Sequence, residues 1–266
     1  MDNDNIKSEE KENNFKDKNK LIPEVRAVGS LAVIKWISSG WHLFAAKPMK
    51  WMLIALIYFS IFLFIAVIGI AIPLIKIVSS AIILSLIAGF FVAIDKQIKT
   101  GDFEIKLLFS GFNKLGSMFG IVLISFIIYF LISIILAIPL ILYMIISNNG
   151  SESIINTEPS AIMYLFIFVI AIFIFSISSA ISLFAPILII IYKQDFARAT
   201  LMSLKALIKN PISCVFISSF MFFILPLSIM FFGIGLLIAL PIFMATVYTA
   251  CRSIFYIEET DDIKII

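Results

Sequence analysis

The sequence predicts an all-α fold: a polytopic membrane helical bundle with about six transmembrane helices in three hairpins, each preceded by a cytoplasmic interfacial amphipathic helix. Three observations predict it. Hydrophobic residues make up 62 % of the chain and charged residues only 14 %, against roughly 45–50 % and about 25 % in soluble domains. Uninterrupted apolar stretches recur that reach or exceed the roughly 18–20 residues needed to cross a bilayer. Lysine and arginine cluster in every second connection between those stretches, as they do in cytoplasmic loops.

Taken in order, residues 1–22 alternate acids and bases (MDNDNIKSEEKENNFKDKNK) with almost nothing apolar. They cannot offset the entropy of folding and are expected to be a disordered cytoplasmic tail. No basic n-region, apolar h-region and small-residue cleavage site precede the first span, so that span is expected to remain in the mature protein. Residues 23–256 read as one transmembrane domain with spans near 51–75, 77–94, 118–146, 161–192, 212–232 and 235–252, followed by a cytoplasmic tail at 257–266. The stretch from Ile212 to Cys251 is too long for one helix: it would reach about 60 Å against a ~30 Å hydrocarbon core. Gly233 and Gly235 mark the turn that divides it, with a re-entrant loop as the rival arrangement.

Orientation follows from the cations. Arg26, Lys35, Lys47 and Lys50 precede the first span. Lys96, Lys99, Lys106 and Lys114 lie between the second and third, and Lys193, Arg198, Lys205 and Lys209 between the fourth and fifth. The opposite connections hold Lys76 alone, then NNGSESIINTEPS with no base, then FFGIG with no charge. Both termini are therefore expected in the cytoplasm.

Three stretches share one plan, an amphipathic segment and a Pro or Gly breaker beside basic residues before an apolar helix. They are WHLFAAKPMKWMLIALIYFS (41–60), FSGFNKLGSMFGIVLISFII (109–128) and LKALIKNPISCVFISSFMFF (204–223). AIPLI occurs at 71–75 and 137–141, and SSAI begins at Ser79 and Ser178, so the first two units echo each other further. In the first segment Ile34, Ile37, Trp41 and Phe44 form the apolar stripe opposite Lys35, Ser38, Ser39 and His42; in the second, Ile105, Leu108, Phe109 and Phe112 lie opposite Lys106, Asn113 and Lys114. In the third, Arg198, Lys205 and Lys209 line one face while Phe196, Leu204, Leu207 and Ile208 face lipid or the bundle.

The dodecamer GWHLFAAKPMKW (40–51) then reads as a membrane fitting. Trp36, Trp41 and Trp51 suit the headgroup layer, and Lys35, Lys47 and Lys50 suit phosphates. Pro48 disfavours helical geometry at Lys47, so an in-plane helix can bend into a spanning one. His42 is the only histidine, which leaves no second ligand for a metal and no partner for acid–base work.

The segments VRAVGSLAVIKWISSGWHLFAAKPMKW (25–51), LLFSGFNKLGSMFGIVLIS (107–125) and LKALIKNP (204–211) resemble an uncharacterised family of bacterial six-span inner-membrane proteins, over roughly residues 23–256. The resemblance implies a multi-pass protein of the bacterial inner membrane and implies no activity. More loosely, the hairpin plan is similar to the membrane domain of some glycerophosphodiester phosphodiesterases. None of that hydrolase's catalytic carboxylates or histidines is present.

Absences bear on function too. The sequence has no phosphate-binding loop, HExxH or GxSxG, no paired intramembrane carboxylates, and no ionisable residue in the middle of a span. Cys214 and Cys251 lack metal or redox spacing and read as packed thiols. No concentrated basic face suggests nucleic acid, and no cofactor is implied. High Phe, Ile, Asn and Lys content fits drift in an AT-rich genome rather than an aromatic ligand site.

The expectation is a non-enzymatic scaffold or envelope-associated factor. Its partners would be the phospholipid bilayer, anionic lipids through Lys106, Lys114, Arg198, Lys205 and Lys209, and a membrane protein or a second copy of itself. Gly116 with Gly120, and Ser178, Ser179, Ala180 and Ser182, read as close helix-packing surfaces. The alternative is a transporter or channel for a small or hydrophobic substrate, in which Pro73, Pro139, Pro186, Pro226 and Pro241 break spans around a cavity.

Overall fold

The computed structural model describes residues 25–71, 75–149, 161–230 and 234–255, with side chains also undescribed over parts of 132–176 and 221–234. Pro73, Gly233 and the two tails therefore lie outside the described residues, as do the side chains of Pro139 and Pro226. Among the described residues the protein is all-helical, with no strand. In chain order the elements are α1 (Ala32–Ala46), α2 (Pro48–Ala71), α3 (Ile75–Thr100), a 3-10 helix η1 (Ile105–Lys114), α4 (Leu115–Asn149), α5 (Ala161–Ile190), α6 (Phe196–Lys209), α7 (Pro211–Met230) and α8 (Ile234–Phe255). Four helical stretches in them are long and apolar enough to cross a membrane, five if the bent pair α6 and the start of α7 forms one span.

The proline elbows set the first and third units. At Lys47 the backbone leaves helical geometry (φ −143°, ψ 56°) and α2 starts with Pro48 as its first residue. Asn210 repeats this conformation (φ −132°, ψ 52°) directly before Pro211, the first residue of α7. The cause is common to both: a proline ring disfavours the α region for the residue before it, while its own fixed φ suits the first helical position. Trp51 N–H to Lys47 O (3.2 Å) and Cys214 N–H to Asn210 O (3.0 Å) then open the two following helices alike. At the second elbow the chain turns by 103°.

The middle unit departs from this plan. Its amphipathic segment is η1, which passes into α4 at Leu115 without a break (φ −52°, ψ −41°), because no proline stands there. Rather than floating in an interface, η1 lies against α3. Two glycines allow the backbones to touch: a Cβ on Gly89 would fall 1.9 Å from Leu108 O, and one on Gly111 would fall 1.9 Å from Ser85 O. The predicted stripe is thus split, with Leu108 buried on α3 and Phe109 exposed.

The first unit is also more deeply integrated than an in-plane helix resting on lipid. α1 packs along α8 through Val33, Trp36, Gly40 and Phe44, leaving Ile34 and Trp41 exposed. Contact is closest at Gly40, where a Cβ would sit 2.5 Å from Thr246 Oγ1. α6 covers the end of α5 with Ala199, Met202, Ser203, Ala206 and Leu207.

α3 and α8 carry the most buried apolar windows, and α2 and α4 present more of theirs outward. Phe90, Phe91, Ile94, Phe184, Tyr248 and Phe255 fill the centre. α3 runs on through Thr100 rather than ending near 94, since its stop is Gly101 in the left-handed region (φ 76°), whose N–H closes onto Gln97 O at 2.8 Å. Pro186 and Pro241 stand inside continuous helices, which corrects the expectation that they break spans. Both are buried, and packing on neighbouring helices holds a helix straight through a missing backbone bond.

Candidate functional site

Contacts gather the basic residues at one end of the bundle, where three groups of interactions form a collar. The first is the α1–α2 elbow. Lys50 Nζ donates to Asp102 Oδ1 (2.6 Å) and Phe103 O (3.2 Å) and stands 5.7 Å from the Phe103 ring centroid, with Lys47 Nζ 3.9 Å from the same carboxylate. The Lys50 hydrogen bond holds the Asp102 carboxyl below its ordinary range. The clamp is accordingly complete at neutral pH and is lost only as pH falls through that lowered value.

Beneath it, Trp51 Nε1 donates to Gln97 Oε1 (2.9 Å), and Gln97 Nε2 donates to Leu43 O (2.9 Å). The Trp51 ring lies 4.3 Å from that of Phe103.

The second group fastens the chain's beginning to its end. Asn210 Oδ1 accepts from Val28 N–H (2.6 Å), and its Nδ2 donates to Arg26 O (3.0 Å) and Ala206 O (3.1 Å). Lys209 Nζ donates to Val25 O (2.7 Å). On the other side Arg26 N–H donates to Ile254 O (3.2 Å), and Arg26 Nε donates to Ser253 O. In the third group Asp95 accepts from Tyr248 O–H (2.7 Å) and Lys99 Nζ (2.8 Å), joining α3 to α8.

The expected interfacial residues therefore divide. Trp36 and Trp51 are 4 % and 1 % exposed, so neither reaches headgroups; their indoles found protein partners instead, whereas Trp41 is 54 % exposed. A lipid-borne quencher such as brominated phospholipid should act on the emission of Trp41 and spare the other two. Trp41→Phe should then abolish most of the quenching and Trp51→Phe little of it.

Among the cations, Lys47 and Lys50 are held by Asp102, Lys106 by Glu104 (2.5 Å) and Lys209 by Val25 O. Lys35 and Lys114 are exposed. So are Arg198 and Lys205, and among the described residues no carboxylate pairs with either. They share a face of α6 with exposed Leu201 and Ile208, and Ile212 and Phe216 continue the apolar surface onto α7. Long cationic side chains over a strip of exposed apolar ones suit the boundary between headgroups and hydrocarbon.

Gly120 faces the Phe196 ring, with 3.0 Å left for a Cβ, while Gly116 faces nothing within 4 Å. Ser182 meets Ser125 on α4 at 3.4 Å, and Ser179 bonds Ser218 on α7, so the small-residue patch joins helices. Cys214 and Cys251 are buried free thiols. Among the described residues no group of three or more His, Cys, Asp or Glu could hold a metal ion.

Asn210, Gln97, Asp102 and the Gly89–Gly111 pair escaped the sequence reading, though a polar residue directly before Pro211 was a usable signal. No family model, curated protein or solved structure matches the chain.

Proposed function

We propose that this chain is a non-enzymatic inner-membrane protein whose basic end lies in the cytoplasm and gathers anionic phospholipid, serving as a scaffold or envelope-associated factor. In this reading α2, α3, α4, α5, α7 and α8 are six spans in three hairpins, as in the bacterial inner-membrane family the sequence resembles. The observation that carries it is the 103° elbow at Asn210. The elbow turns α6 off the axis of α7 with Arg198 and Lys205 exposed beside Leu201 and Ile208, the arrangement an anionic leaflet attracts. The transporter alternative draws less support, since Pro186 and Pro241 do not break their helices.

Each cation near an anionic surface contributes about 1 kcal/mol, so Arg198→Gln with Lys205→Gln should weaken phosphatidylglycerol retention roughly 30-fold. Native mass spectrometry of the purified protein reads this, with phosphatidylcholine retention as the control. Equal loss of both lipids, or loss of neither, overturns the reading.

A further inference from the structure

An open cleft of about 810 Å³ lies between α2, α3, α4 and α5, away from the collar. Its floor is made of residues deep in the bundle, including Leu84, Ile87 and Val122. Its other lining residues include Ile70, Ser79 and Tyr129. These three stand near the far ends of the candidate spans Pro48–Ile70, Ile77–Thr100 and Ile105–Leu131. The cleft thus runs from mid-span to the end opposite the basic residues.

Its polarity is graded along that path. At the floor, Ser125 and Ser182 satisfy each other (3.4 Å) and leave an apolar slot. At the mouth stand the hydroxyls of Ser79, Ser80 and Tyr129, and Tyr129 is 43 % exposed.

The side of the cleft merges with the outward apolar surface. Ile70 and Phe126 line it while remaining exposed, and Val67, Ile127 and Phe130 continue that surface beyond it. Whatever enters comes sideways out of hydrocarbon. The volume lies within the roughly 300–1,000 Å³ of small-molecule sites, but those are filled from water. A molecule with a hydrocarbon tail and hydrogen-bond acceptors only at its upper end matches the gradient.

We propose that this cleft is a lateral binding site for a diacyl glycerophospholipid of the leaflet opposite the basic end. One acyl chain fills the slot down to Leu84 and Val122, and the ester carbonyls lie at Ser79, Ser80 and Tyr129. This site is separate from the α6 surface and stands or falls without it.

The full-length protein, in vesicles of phosphatidylethanolamine and phosphatidylglycerol, is photolysed with a tracer phosphatidylcholine carrying a diazirine near the end of one acyl chain. Labelled peptides are then sequenced by mass spectrometry. Label should fall on Leu84, Ile87 and Val122 roughly tenfold above the outward-facing Phe64 and Phe130, a preference equivalent to about 1.4 kcal/mol.

Gly69→Phe should cut the cleft label to the level of those outward residues. It lines the cleft, and a Cβ there meets nothing within 4 Å, so the variant blocks without a backbone clash. Ser182→Leu, which fills the floor, provides a second block. Uniform labelling in the wild type, labelling unchanged by both variants, or labelling by a diazirine fatty acid but not by the phospholipid each overturns the proposal.

Discussion

Gly89→Ala is expected to unseat η1 from α3 and to destabilise the protein by on the order of 3 kcal/mol or more, at the upper end of what overpacking costs. The new Cβ would sit 1.9 Å from Leu108 O, 2.4 Å from Leu108 C and 2.8 Å from Leu108 Cα. These are backbone atoms, so no rotamer change relieves the clash and η1 has to move as a body. Gly111→Ala, 1.9 Å from Ser85 O, should act alike from the other side of the contact. Once one variant has separated the two elements, the other should add little, which is the signature of a shared interface. Gly116→Ala is the internal contrast, because its Cβ meets nothing within 4 Å inside α4; it should be neutral or stabilising by up to about 1 kcal/mol. Thermal unfolding in one detergent, followed across all three variants, checks the set. Equal behaviour of Gly89→Ala and Gly116→Ala would contradict the packing.

Asn210→Ala is expected to cost about 3 kcal/mol and to release the chain's beginning. The substitution strips the partner from Val28 N–H and Arg26 O, and each buried polar group left unpaired costs about 1–3 kcal/mol. The α6–α7 elbow itself should persist, since Pro211 sets the backbone at residue 210 whatever its side chain. A selective readout is tryptic cleavage after Arg26, whose N–H and side chain are bonded to the end of α8 in the intact protein. Cleavage should accelerate at least about tenfold in Asn210→Ala. Asn210→Asp keeps the acceptor for Val28 and loses the donors to Arg26 and Ala206, so it should fall between. Unchanged cleavage in Asn210→Ala would show that the α8 contacts alone hold residues 25–28.

Both expectations concern contacts that hydropathy cannot report. The apolar runs announced the helices because hydrocarbon demands long apolar segments of self-satisfied backbone. Likewise, Pro48 announced the bend at Lys47, since a proline acts on its immediate neighbour.

What periodicity left open was the partner of each face. α1 carries apolar residues on two sides, and nothing local says that Trp36 turns toward α8 while Trp41 turns outward. The buried state of Trp51 depends on Gln97 and Phe103, 46 and 52 positions further on, which no local window connects. The cations were legible as a group, but their division was not. Asp102 and Glu104, two acids in a short loop, occupy Lys47, Lys50 and Lys106, which leaves α6 with the exposed pair Arg198 and Lys205. Gly89 and Gly111 look like ordinary interruptions in apolar sequence until the backbones they admit are seen.

The most direct test of the threading asks which side of the membrane α6 occupies. With Cys214 and Cys251 replaced by serine, Arg198→Cys and Ser153→Cys are made separately and exposed to a membrane-impermeant maleimide in intact cells and in inverted vesicles. The six-span reading predicts that Cys at 198 reacts only in inverted vesicles and Cys at 153 only in intact cells. Labelling of both positions from the same side would contradict it.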